Sequence, residues 1–107
     1  MEVSMTKFHI EWKKNFSKMP DNPAEIIKIE LWLLGMVKDD LKTGKIADWG
    51  MYCNGSSGYG IIEGNQEDIM PILLKYIPFI MFEVLPVVNV DQSIDAINKV
   101  VSQMKTV

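Results

Sequence analysis

Arginine is missing from this chain, and all eleven of its basic residues are lysine. No guanidinium fork is therefore available to grip a phosphate or a carboxylate in two places at once. The formal net charge of −3 also argues against a nucleic-acid partner, which rewards a basic face. Lys13, Lys14 and Lys18 are the one local basic cluster, and its plainest reading is a solvated loop. There is a single cysteine, Cys53, so no intrachain disulfide can form. That favours a reducing compartment, and a cytoplasmic location is the expectation. A lone Cys of this kind is expected to be a small buried filler. As a nucleophile it would need His9 nearby and a lowered pKa. There is a single histidine, His9. One His, one Cys and scattered acids at no short spacing do not make a metal site, and neither a metal nor another cofactor is expected.

Long uninterrupted apolar runs are also lacking. Ile69–Val90 comes nearest, but Lys75, Glu83, Pro71, Pro78 and Pro86 break it. A charged side chain at mid-bilayer costs about 2.5–3.5 kcal/mol on insertion scales, and prolines interrupt a single helix. The stretch is expected to be helix, turn and strand, with no membrane span. The opening MEVSMTKFHIEW has no basic start followed by an apolar block, so no secretory signal is expected. Met5 can serve as an alternative start, which makes residues 1–4 a leader. A length of 107 residues corresponds to one domain. Its expected parts are a frayed leader at 1–5, a core at 6–90 and a C-terminal helix at 91–107.

What is present is periodicity. Thr6–Trp12 alternates, with Phe8, Ile10 and Trp12 on one face and Lys7, His9 and Glu11 on the other, which predicts a strand. A polar connection ends in PDNP, where Asp21 or Asn22 can cap a helix that opens on Pro23. That helix is expected to run to about Thr43 and stop at Gly44. Ile26, Ile29, Leu33, Met36, Val37 and Leu41 form one stripe on it. Ile27, Leu31 and Leu34 form a second, wider than one sheet requires, and point to a subunit contact. Lys45–Cys53 reads as a strand with Trp49, Met51 and Cys53 alternating against Asp48, Gly50 and Tyr52. Asn54–Gly58 reads as its hairpin turn and Tyr59–Glu63 as the returning strand. The NGSSG glycines are not followed by Lys–Ser/Thr or a helix, so they do not form a phosphate loop. Asn65–Asp68 resembles a capping box, with Pro71 near the first turn of a helix reaching Tyr76 or Ile77. A strand then covers Phe79–Val90, with Pro86 marking a bulge or a sheet edge. Asp91 is placed to cap a last helix, Gln92–Lys105, striped by Ile94, Ile97, Val101 and Met104.

The order strand, helix, strand, strand, helix, strand, helix is the ferredoxin-like βαββαβ pattern with an added C-terminal helix. The expected fold class is α+β, with an antiparallel four-stranded sheet in the order 4-1-3-2 and both main helices on one face. The last strand is apolar on both sides: Phe79, Met81, Leu85 and Val87 one way, Ile80, Phe82, Val84, Val88 and Val90 the other. The helices are expected to cover one side, leaving a bare patch beyond the few hundred Å² usual in monomers. Covering roughly 1,000 Å² is worth on the order of 25 kcal/mol gross at about 25 cal/mol per Å². Association costs of about 4–15 kcal/mol leave a homodimer favoured.

The segments FHIEW, WGMYCNGSSGYGIIEG and FEVLPVVNV together resemble the dimeric alpha/beta-barrel superfamily. Within it the chain resembles a small bacterial and archaeal family of uncharacterised function. Members of that family end on an aromatic-Glu-Val-x-Pro-Val close, matched here by Phe82–Val87. The likeness covers residues 6–92. It implies two sheets facing each other around a central cavity. Relatives in the superfamily include muconolactone isomerase-like and antibiotic-biosynthesis monooxygenase-like proteins, which act on small, often aromatic compounds, frequently without a cofactor. The first helix is longer than the pattern, and Lys99–Val107 runs past its usual end.

Three functional readings follow. If Phe8, Ile10 and Trp12 pack under the helices, His9 and Glu11 face the cavity, and Glu83 and Glu63 fall on the same side. The first reading is a module that binds a small hydrophobic or aromatic molecule among Met51, Tyr52, Tyr59 and Glu63. The eight methionines suit an adaptable apolar lining. The second is a cofactor-independent enzyme with His9 as acid and base, oriented by Glu83 or Glu11. The third is a structural or protein-interaction module whose terminal helix docks on a partner.

Overall fold

The computed structural model describes residues 6–104. The leader expected at 1–5 lies outside that range. The chain runs β1 (Thr6–Lys14), a 3₁₀ turn (Phe16–Lys18), α1 (Pro23–Lys42), β2 (Asp48–Met51), β3 (Ser57–Gly64), α2 (Gln66–Leu74), β4 (Ile80–Val87) and α3 (Val90–Met104). The four strands form one antiparallel sheet in the order β2-β3-β1-β4, which is 4-1-3-2 counted from the opposite edge. This α+β arrangement is compatible with the ferredoxin-like pattern. Among the described residues, no helix is long and apolar enough to cross a membrane.

α1 begins where its caps direct. The Asn22 side chain accepts a hydrogen bond from the Ala24 amide at 2.8 Å, and Pro23 occupies the first turn, where its missing N–H is not needed. One stripe of the helix reaches the sheet, with Leu33 and Val37 buried. Ile27 and Leu31, from the second stripe, stay exposed.

Phe8, Ile10 and Trp12 are buried on the helix side of β1, as their alternation requires. The Trp12 indole stacks on Trp49 with centroids 5.4 Å apart and planes 7° apart, and donates to the Tyr59 carbonyl at 3.2 Å. This explains why β3 starts at Ser57, two residues before the expected Tyr59. A Cβ on residue 58 would sit 2.1 Å from the Gly50 carbonyl and 2.5 Å from the Trp12 ring, so only glycine lets the indole lie flat on this rung.

Several boundaries differ from expectation for local reasons. β2 is only Asp48–Met51, because Ile46 turns into the core and its amide donates to the Asp40 carbonyl. Pro71 stands inside α2 and not in its first turn. The carbonyl it leaves without a helical partner belongs to Glu67, which is exposed to water. Asn65 precedes α2 but makes no side-chain cap bond. Asn89, and not Asp91, starts α3: the Asn89 Oδ1 accepts from the Gln92 amide while the Gln92 Oε1 accepts from the Asn89 amide, both at 2.8 Å. That is a reciprocal capping box. Lys13 and Lys14 belong to β1 and not to a solvated loop, and the Lys14 side chain is buried against Glu30 of α1.

β4 is one of the two edge strands, which accommodates Pro86 at a sheet edge. Its cover is thinner than expected. On the helix side Ile80 is buried and Phe82 half-buried, but Val84 and Pro86 are exposed. On the other side Met81, Leu85 and Val87 are exposed too. The second half of β4 is therefore bare on both faces, not on one. α3 does not return to cover it and buries none of its residues. The molecule measures 65 × 31 × 22 Å.

Candidate functional site

The site is built on the sheet face opposite the helices. Strand register decides its membership, because directly opposed residues share a face with Cβ atoms about 4.5–5.5 Å apart. In the central strand β1, His9 faces Leu85 on one flank and Ile61 on the other, and Glu11 faces Glu83 and Tyr59. Lys7 faces Val87 and Glu63. His9, Glu11, Glu83, Glu63 and Tyr59 are thus brought to one face. The His9 Nε2 and the Glu11 Oε1 are 2.9 Å apart, and both side chains are half-buried.

Tyr59 completes the cluster from β3. Its ring lies parallel to the His9 imidazole, with centroids 6.3 Å apart and planes 8° apart. Its hydroxyl donates to the Asp48 Oδ2 at 2.9 Å. The ring reaches Asp48 by crossing Gly50, where a Cβ would come within 2.4 Å of it. The bond to the Asp48 carboxylate, with lesser contributions from burial and from the negative charge itself, raises the Tyr59 pKa above its ordinary value. Tyr59 is therefore a phenol and a donor at neutral pH. Tyr52, exposed just past β2, also pushes in that direction. Asp48 was not among the residues singled out from sequence. Its alternation with Gly50 against Trp49 and Met51 was the available signal.

Two of the singled-out residues lie elsewhere. Met51 pairs with Gly58 and so stands on the helix side of the sheet, away from His9. There it lines a narrow apolar cleft beneath α1, with Trp12, Leu34, Trp49 and Phe82. Cys53 sits in the turn after β2 and is exposed, not a buried filler.

A second polar cluster lies inside the fold. Asp40 is 3% exposed on the buried stripe of α1. Its carboxylate accepts from the Lys75 Nζ at 2.6 and 2.7 Å and from the Tyr76 hydroxyl at 2.6 Å. Burial, then the bond to Asp40, drives the Tyr76 pKa far above the ordinary tyrosine range. The spacing Leu33, Val37, Asp40 places an acid on the apolar face, which a reading of hydrophobic residues alone passes over. The cluster ties α1 to the end of α2.

No protein-family model, no curated protein and no solved structure matches this chain. What stands is a small α+β fold with a four-stranded antiparallel sheet, carrying an ordered Glu11–His9–Tyr59–Asp48 cluster on its open face.

Proposed function

We propose that the open sheet face is covered by the same face of a second copy, as in the dimeric alpha/beta-barrel superfamily, and that the enclosed space takes a small hydrophobic or aromatic molecule. The supporting observation is the composition of this face. A polar cluster, His9 with Glu11 and Tyr59 with Asp48, sits beside the apolar side chains Ile61, Met81, Leu85 and Val87. Such pockets combine apolar walls with a few placed polar groups. Tyr59 offers a ring to stack on and, with its proton given to Asp48, an oxygen that accepts from a phenol, while His9 offers the ring nitrogen not engaged with Glu11.

The test has two arms. Leu85 is exposed in one copy and adjoins His9, so Leu85→Asp should leave the fold intact and weaken self-association by at least tenfold in sedimentation equilibrium. A thermal-shift panel of phenols, benzoates and aryl lactones should raise the Tm of the native protein and fail to raise that of Tyr59→Ala. An unaltered association constant, or no stabilising compound, defeats the reading.

A catalytic variant of this reading rests on the 2.9 Å contact between His9 and Glu11, which pairs an imidazole with an orienting carboxylate. With any compound that is turned over, His9→Ala should lower kcat by about 10²–10⁴-fold.

A further inference from the structure

We propose that α3 docks in trans, lying in the groove between β4 and α2 of a second copy, which returns its own α3 to the first. This contact uses the helix side of the sheet and does not rest on the proposal for the open face.

Among the described residues, the helix and the groove each present an uncovered apolar surface. α3 is fully formed, with a reciprocal cap at Asn89 and Gln92, yet no residue of it is buried. Its stripe of Ile94, Ile97, Val101 and Met104 is between 42% and 67% exposed. A helix of 15 residues is marginal in water without packing, so this one needs a surface. The groove supplies one. It is an open trough, with Met70, Leu74 and Ile77 on one wall and Phe82, Val84 and Pro86 on the other. It is the place where the helix-side cover of β4 runs out. The bare second half of β4 is about 13 Å long at about 3.3 Å per residue, and α3, about 22 Å at about 1.5 Å per residue, is long enough to cover it.

The area fits a stable dimer. The exposed portions of the stripe and of the groove walls, counted for both reciprocal contacts, come to roughly 2,000 Å², within the range of specific interfaces. Connectivity favours the second copy over the same chain. Only Val88 and Asn89 separate β4 from α3. A connection of that length can turn a helix back along its strand, but here α3 runs on from β4 without burying a residue and the molecule is drawn out to 65 Å, so its own groove stays unfilled. Asn89 and Gln92 close the first turn of α3, so the helix is formed before it meets any surface. Reciprocal exchange about a two-fold axis needs no reversal and closes on itself.

The experiment uses the full chain with Cys53→Ser as background. Two single-cysteine variants are made, Ile97→Cys on α3 and Leu74→Cys in the groove, mixed, left to exchange and mildly oxidised. Docking in trans predicts a disulfide-linked dimer of the two variants, at least tenfold more abundant than like-with-like links, on a non-reducing gel. Crosslinking only within one chain, seen when both cysteines are placed in the same molecule, overturns the proposal in favour of docking in cis. No crosslink in either arrangement overturns it as well. Ile97→Asp supplies a second measurement: it should raise the dimer dissociation constant at least 100-fold in sedimentation equilibrium. If Ile97→Asp leaves association unaltered while Leu85→Asp abolishes it, the helix exchange fails and the open-face pairing stands. The converse result separates them the other way.

Discussion

Lys75 donates to both carboxylate oxygens of Asp40, at 2.6 and 2.7 Å, across the junction between α1 and α2. With the Tyr76 hydroxyl on the same carboxylate, it lets an acid sit in the apolar core. A buried carboxylate is tolerated when its charge and lone pairs are matched, and removing one partner leaves the others unpaired in a poor solvent.

Asp40→Ala should therefore destabilise the fold by about 2–3 kcal/mol in urea denaturation, less than a fully buried ion pair would lose, because Lys75 is partly exposed and can turn to water. Tyr76→Phe removes one donor and keeps the ion pair, so it should cost about 1 kcal/mol. Equal losses for the two variants would contradict the arrangement.

Tyr76 also makes stability depend on pH at the alkaline end. Its folded pKa lies above its unfolded value near 10, so the folded state holds a proton that the unfolded state releases. The stabilisation is full below pH 10 and declines as pH rises above it, at up to about 1.4 kcal/mol per pH unit. Urea midpoints measured on both sides of pH 10 should show this fall in the native protein and a shallower one in Tyr76→Phe.

The open-face cluster makes a spectroscopic prediction. The Tyr59 pKa is raised chiefly by its bond to Asp48, so Asp48→Asn should move the Tyr59 titration to lower pH. Phenolate absorbance in the near ultraviolet, followed in a Tyr52→Phe, Tyr76→Phe background, isolates Tyr59. A titration unmoved by Asp48→Asn would show that the bond is not made in solution.

Two glycines should respond in opposite directions to alanine. Gly58→Ala places a methyl against the Gly50 carbonyl and the Trp12 ring, neither of which can yield, and should cost about 3 kcal/mol. Gly35 lies in the middle of α1, and a methyl group added there meets nothing within 4 Å, so Gly35→Ala should stabilise by about 0.5–1 kcal/mol. Chemical denaturation of both variants checks the pair.

Much of the fold was legible in the residues. The alternation of Phe8, Ile10 and Trp12 and the caps at Asn22 and Pro23 set local structure through contacts a few residues long, and the structure carries them as read. The same alternation put His9, Glu11, Glu63 and Glu83 on one face, because a strand sends neighbouring side chains to opposite sides. Met51 and Tyr52 are neighbours on the strand expected at Lys45–Cys53, so their alternation already sends them to opposite faces, and the expectation of both in one pocket departs from it. Which side of β2 faces the helices depends on pairing with β3, and that pairing is a tertiary contact.

The sequence alone determined which segments become helix or strand and, along each strand, which side chains share a face, since both follow from backbone periodicity and nearest-neighbour sterics. Boundaries such as those of β2 were set by core contacts. Only the tertiary structure decided that Trp12 lies on Gly58, that Tyr59 crosses Gly50 to reach Asp48, that Asp40 meets Lys75 and Tyr76, and that β4 is left bare while α3 points away. The side-chain contacts among them join residues 9 to 46 positions apart, and no local preference specifies a contact between groups that meet only after the chain has folded back on itself.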